Sequence, residues 1–249
     1  MTLRALGNGD QWLKGMRYNV EADFIGTRRR SQTAHELFNK RFETNRYRSD
    51  NDQFNIGDAM VLAGFIAEAE PHLTLEVGSG WSTAMMLDTI DAANLSTQLT
   101  CVEPFPERLL EAVPNFREKH ELIDSRLQDA QLDDDFVSSV DLLLIDSSHV
   151  GKYRSDVLYE LFELLPKLKS GTLVHIHDVF YPWEYPSEWL AEGRYWNEGY
   201  LLRALLMNSS RYAIESWPSA LRNLDAKRWD DELSSVLHLG GGSIWIRVL

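Results

Sequence analysis

The sequence predicts an α/β fold: a doubly wound, mostly parallel sheet of seven strands preceded by a helical N-terminal arm. Three observations predict it. Short apolar runs alternate with helix-length amphipathic segments from residue 73 to residue 208, the pattern of right-handed βαβ units. One of those runs, VDLLLID at 140–146, is almost continuously apolar, as befits a central parallel strand covered on both faces. An acidic residue stands at or just past the end of five successive runs, and sheets of this kind bind ligands beyond the carboxyl ends of their strands.

Residues 1–54 are polar, rich in Arg and Asn, and weakly periodic. They read as an arm with one helix near 31–43. Arg28-Arg29-Arg30 in that arm reads as a solvated turn or a local anion contact. Asn55 or Asp58 caps a helix ending near Glu70, with Ala59, Leu62, Ala63 and Ile66 on one stripe, and Pro71 stops it. LTLEV (73–77) is a strand and 82–93 a helix. LTCVE (99–103) is a strand, followed by a mostly helical 107–119. ELIDSRL (121–127) is a short strand, and 140–146 the central one. A helix spans 153–166 with Val157, Leu158, Leu161 and Leu165 inward. Ser170-Gly171 turns into the strand TLVHIHD (172–178). After an aromatic loop comes a helix near 198–208. RYAIESW (211–217) and SIWIRVL (243–249) are the terminal strands, with Gly240-Gly241-Gly242 turning into the last.

Composition removes several function classes. The chain has 249 residues with 44% hydrophobic content, enough for one large α/β domain. A net charge of −13 argues against nucleic acid or an anionic membrane as the main partner. No apolar run is long enough for a transmembrane helix. The N-terminus lacks an apolar signal segment, so a cytoplasmic location is expected. Cys101 is the single cysteine, which excludes an internal disulfide and reads as a buried thiol. A homo-oligomer is left open.

The first strand runs into Glu76-Val77-Gly78-Ser79-Gly80-Trp81-Ser82-Thr83. A dinucleotide site wants a third glycine where Thr83 stands, and it would not want bulky Trp81 in the loop. The loop still turns tightly and presents N–H groups from a helix start, which suits a carboxylate as well as a phosphate. Glu103 ends the second strand, where an acid takes two ribose hydroxyls. A cofactor with an adenine, a ribose and an amino-acid tail fits this set, and S-adenosylmethionine has all three.

LEVGSGWST, VEPFPERL and LLIDSSHVGKYRSDVLYELFELLPKLKSGTLVHIHDVF together resemble the class I SAM-dependent methyltransferases. The likeness is nearest to a small-molecule subgroup with an E-I-G-S-G-x-S-T first motif and a D-x-x-H and H-D second half. It spans roughly 73–180. It implies a Rossmann-like methyltransferase fold with an antiparallel last strand, a SAM-binding domain over 55–249, and a small-molecule acceptor. It also implies roles. Glu76 helps orient the methionine ammonium. Gly78, Ser79 and Gly80 let the backbone approach the tail and ribose. Ser82 or Thr83 bonds the tail carboxylate, Glu103 the ribose hydroxyls, and Asp129 the adenine amino group. Ser147 and Ser170 depart from the glycines usual in the subgroup.

Methyl transfer asks the protein to position an acceptor and remove its proton. Two routes are visible. His149, three residues past Asp146, titrates near neutral pH and can act as base. Alternatively Asp146 and Asp178, on strand ends roughly 4.8 Å apart, hold Mg²⁺ or Mn²⁺ with His177 beside them. Related metal-dependent O-methyltransferases carry Asp, Glu or Asn at that neighbouring position. His175 reads as a core histidine. The segment 180–197, with seven aromatics in 180–196, suits the wall or lid of an acceptor pocket, and Trp196, Asn197 and Glu198 lead from it into the next helix. The leading expectation is methylation at a hydroxyl oxygen. The competing readings are an NAD-dependent oxidoreductase and a non-catalytic nucleoside-binding module.

Overall fold

The computed structural model describes residues 10–38, 44–237 and 241–249. Its centre is a seven-stranded sheet of order β3-β2-β1-β4-β5-β7-β6. The strands are β1 (Leu73–Val77), β2 (Gln98–Val102), β3 (Glu121–Ile123), β4 (Leu142–Ile145), β5 (Leu173–Ile176), β6 (Tyr212–Ser216) and β7 (Ile244–Val248). All neighbouring pairs are parallel except those of β7, which runs antiparallel to both β5 and β6. This is the Rossmann-like methyltransferase arrangement that the resemblance implies, with the antiparallel last strand in place. The chain reverses its order between β1 and β4, so Glu76 pairs with Cys101 on one side and Leu144 on the other. Every residue of β4 is buried, as its unbroken apolar run predicts.

Eleven helices are described: α1 (Val20–Leu37), α2 (Ile56–Ala69), α3 (Trp81–Ala92), α4 (Glu107–Ala112), α5 (Asp134–Ser139), α6 (Asp156–Tyr159), α7 (Ser187–Ala191), α8 (Glu198–Leu206), α9 (Pro218–Leu224), α10 (Ala226–Glu232) and α11 (Ser234–Leu237). Asn55 caps α2 by accepting from Gly57 and Asp58 N–H groups. The core joins helix and sheet through large rings: Phe65 of α2 stacks on Trp245 of β7 with centroids 4.0 Å apart.

The N-terminal region differs most from expectation. Its helix starts at Val20, where Asn19 accepts from Ala22 N–H, rather than near 31; residues 39–43 lie outside the described residues. The helix packs on α2 and is held by a buried acid. Asp23 accepts hydrogen bonds from Tyr18 Oη at 2.7 Å, Thr27 Oγ1 at 2.7 Å and the Trp217 backbone N–H at 2.8 Å. Arg28-Arg29-Arg30 is helical, not a turn. Arg30 is buried with its guanidinium 3.8 Å over the Phe65 ring and 3.3 Å from Glu68. Arg29 shares Glu68, and Arg28 reaches Glu232. Carboxylates take all three cations.

Other differences are local. Pro114 breaks the 107–119 segment into α4 and a 3₁₀ turn, Phe116–Glu118. The third strand is three residues long, and its tail becomes a 3₁₀ turn, Leu127–Asp129. The 153–166 helix begins at Asp156, capped by Ser155, widens into a π-turn over Glu160–Leu164 and tightens at Pro166. Helices α9 to α11 fill a stretch for which charge hides the pattern. Trp229, Leu233 and Leu237 recur every four residues, and all three are buried. Of the predicted glycine turn, Gly240 lies outside the described residues.

Candidate active site

The loop after β1 is shaped by contact with its neighbour strand. Gly78 has φ +84°, and a Cβ there would sit 1.9 Å from the Asp146 carbonyl oxygen. Only glycine fits so close an approach in the left-handed region. The loop's amides are spent internally. Gly78 N–H donates to Val102 O at 3.0 Å, Ser79 N–H to Glu103 Oε2 at 3.0 Å and Gly80 N–H to Thr83 Oγ1 at 3.0 Å.

Glu76 lines neither of the cavities at the carboxyl edge of the sheet. It is fully buried and accepts from Ser82 Oγ at 2.6 Å, Thr83 Oγ1 at 2.5 Å and the Cys101 thiol at 3.1 Å. Burial pushes its carboxyl up to about 7 against those three hydrogen bonds. The side chains of Glu76, Ser82 and Thr83, expected at the methionine tail, tie β1, α3 and β2 to one another in this structure. Cys101 is buried as expected.

Two cavities open at the carboxyl edge of the sheet. The first, about 600 Å³, is bounded by Gly78, Glu103, Phe105, Leu127, Gln128 and Tyr153, with Asp146 at its inner end. Glu103 is preorganised there, one oxygen accepting from Ser79 N–H and the other from Phe105 N–H at 2.8 Å. Asp129 is not part of the wall. It turns outward to Arg126, whose Nε lies 2.9 Å from Oδ2. Its neighbour Gln128 faces the cavity instead, donating from Nε2 to Arg154 O at 2.9 Å, while its buried Oε1 has no hydrogen-bond partner among the described residues. The 3₁₀ turn rotates Asp129 away from the cavity and Gln128 toward it.

The second cavity, about 630 Å³, shares Glu103, Asp146 and Ser147 with the first. On its floor His149, itself at φ +57°, is buried between carboxylates. Its Nδ1 lies 2.9 Å from Glu198 Oε2, and its Nε2 lies 3.3 Å from Asp146 Oδ1 and 3.8 Å from Asp178 Oδ2. Glu198 is completely buried at the first turn of α8. Asn197 beside it accepts from Gly151 N–H at 2.6 Å, so the helix start clamps the histidine loop. Burial disfavours the imidazolium, but Asp146 and Glu198 outweigh it and raise the His149 pKa well above its ordinary value. The two carboxylates favour the protonated imidazole, which tells against the expected role of His149 as base. Asp146 is half-buried; desolvation works against its charge, yet the charges of His177 and His149 bring its carboxyl down to about 2. Burial dominates at Asp178 and pushes it up to about 6.

Asp146, His149 and Asp178 present ligand atoms that all lie within 4.8 Å of one another. His177, expected in that set, lines the cavity but is not one of the three. Its Nε2 is 3.7 Å from Asp178 Oδ1, and its ring packs on Phe54 and His175. His175 is a fully buried core residue edge-on to Trp245.

The aromatic segment divides its labour. Trp183 is buried against Trp217, and Tyr185 Oη accepts from Gly199 N–H at 2.9 Å. Phe180, Trp189 and Trp196 form the cavity wall, with Trp196 4.3 Å from the His149 ring and Arg194 beside both indoles. Residues 51–53 and Arg108 close the other side. None of the described helices is long and apolar enough to cross a membrane.

Residues 75–179 match a family profile described as a methyltransferase domain. An uncharacterized protein of Archaeoglobus fulgidus is 31% identical over 87 residues, which are 34% of this chain and 39% of that protein's length. Cofactor-bound Rv0187 from MTB superposes with a TM-score of 0.52 at 11% identity, covering 92% of this chain and 88% of that one. A Klebsiella pneumoniae protein assigned as an O-methyltransferase gives 0.51 at 13% identity, covering 90% and 89%. At these identities the two structures speak to fold.

Proposed function

We propose that this chain, whose residues 75–179 match a methyltransferase-domain profile, transfers a methyl group from S-adenosyl-L-methionine to a hydroxyl oxygen of a small molecule. The observation that carries this reading is the meeting of the two cavities at Glu103 and Asp146. The first cavity suits adenosine. Each Glu103 oxygen has a lone pair left for a ribose hydroxyl, Gln128 Oε1 can accept from the adenine amino group, and Phe105 and Tyr153 flank the base. The second suits the acceptor, with aromatic walls that exclude water and a carboxylate-rich floor that favours a sulfonium.

The reaction is an in-line displacement. The acceptor oxygen attacks the methyl carbon, the carbon–sulfur bond breaks with its electron pair going to sulfur, and the hydroxyl proton leaves to a carboxylate oxygen. Asp178 suits that last step, since a carboxyl at about 6 is a stronger base than Asp146 at about 2. His149, fixed at Nδ1 by Glu198, holds the two aspartates apart and in place. The products are a methyl ether and S-adenosylhomocysteine.

A second reading is favoured by the closeness of the Asp146, His149 and Asp178 ligand atoms. Two carboxylate oxygens and an imidazole nitrogen, backed by Glu198 on the far ring nitrogen, fit a divalent cation such as Mg²⁺ or Mn²⁺. When bound, such an ion would orient and acidify the acceptor hydroxyl. Activity that survives EDTA supports the first reading. Activity lost to EDTA and restored by Mg²⁺ or Mn²⁺ supports the second.

Calorimetric titration tests the cofactor assignment. S-adenosylhomocysteine is expected to bind and NAD⁺ not to. Glu103→Ala is expected to weaken S-adenosylhomocysteine by about tenfold or more, the scale of a lost charge-assisted pair of hydrogen bonds. Wild-type affinity in that variant would take Glu103 out of the cofactor site.

A further inference from the structure

The amino-acid end of the cofactor lacks the anchors expected for it. Ser82 and Thr83 both donate to Glu76, and the amides of Gly78, Ser79 and Gly80 are all engaged within the protein. We propose that Arg108, steadied by Gln53, binds the α-carboxylate of the methionine moiety. This rests on the cofactor reading above and adds to it the group that recognises the tail.

Three observations converge on Arg108. Its stem lies across the glycine loop: a Cβ on Gly80 would be 3.0 Å from Arg108 Cδ. Arg108 lines the second cavity together with Ser79, Glu103 and Asp146, which is where a tail leaving a ribose held at Glu103 must run. Its charge also lacks a direct ion pair, the Glu103 carboxylate acting on it only through space. Nη1 donates to the neutral Gln53 Oε1 at 3.0 Å, and among the described residues no carboxylate forms an ion pair with it. In a chain with 38 acidic and 25 basic side chains, a cation left to an amide at the rim of an acidic site calls for an anion from outside. After the bond to Gln53, the guanidinium keeps four N–H donors in a planar fork, which matches a carboxylate in bidentate geometry. Gln53 donates in turn to Asp52 at 3.3 Å, which sets its amide with the oxygen toward Arg108.

The test compares two probes, S-adenosylhomocysteine and S-adenosyl-3-thiopropylamine, which differ only in the carboxylate. Wild type should prefer the first by about ten- to hundredfold. Arg108→Ala should erase that preference by weakening S-adenosylhomocysteine while leaving the decarboxylated probe within about twofold. Arg108→Lys should restore part of it, because a point charge replaces the fork. Arg108 is exposed, so these variants should melt like wild type. The inference is overturned if Arg108→Ala weakens both probes equally or neither. A wild-type protein that binds neither probe removes the cofactor reading itself, an outcome distinct from the first two.

Discussion

Glu76 shows how little the presence of an acid at a strand end says about where its side chain points. Five such acids are visible in the sequence, and three of them, Glu103, Asp146 and Asp178, border the cavities. Asp129 turns to Arg126. Glu76 turns into the core, where it stays near the boundary between acid and carboxylate. Its folded-state pKa, about 7, lies above the unfolded value, so between roughly pH 4.5 and 7 the folded state holds a proton that the unfolded state has released. The contribution is fully present below that window and is lost as pH rises through it, on the order of 3 kcal/mol in all. Urea unfolding of wild type and Glu76→Gln across pH 5 to 8 should show a declining component in wild type that is missing from the variant. Parallel curves would mean that Glu76 does not titrate in this range. His149 is a second case at this scale. Its identity was readable from the D-x-x-H spacing, but its environment depends on Glu198, 49 residues on, as well as on Asp146, and no local pattern carries the longer distance.

At the scale of elements, the strands were readable because each is a short apolar run between breakers, and burial on both faces leaves no polar position to confuse the period. The helices were readable where Asn or Ser caps them and misjudged where a proline or a charged surface interrupts the stripe, as at Pro114, Pro166 and 218–237. The N-terminal helix was misplaced because its buried face is polar: Asp23, Thr27, Arg30 and Ser31 point inward, and hydrophobic periodicity cannot see them. It is bound to the sheet through the Trp217 amide and through Tyr18, which bridges Ile214. A chain beginning at Asn55 would expose Phe65 and strand the Trp217 amide without its acceptor. Such a buried unmade hydrogen bond alone costs about 1–3 kcal/mol. The truncated chain should therefore show no cooperative unfolding transition by circular dichroism. A sharp melt from it would restore the view of 1–54 as an appendage.

Across the whole molecule, the mostly parallel sheet followed from the alternation of elements, and the rule that ligands gather past the carboxyl edge pointed to the edge where both cavities open. The site's closure did not follow from either. Arg108 meets Gln53 across 55 residues, and Ser243 donates to Asp58 across 185 at 2.6 Å, contacts that only the folded chain creates. The contact at Gly78 has a practical bearing on redesign. With the Asp146 carbonyl pressed against its α-carbon, the hairpin of chain that would cradle the cofactor and the ledge that would receive its methyl group are one rigid piece of masonry. A library seeking new acceptors should leave 77–80 and 145–147 untouched and vary Phe180, Trp189, Arg194 and Trp196, whose side chains can be recut without shifting the keystone.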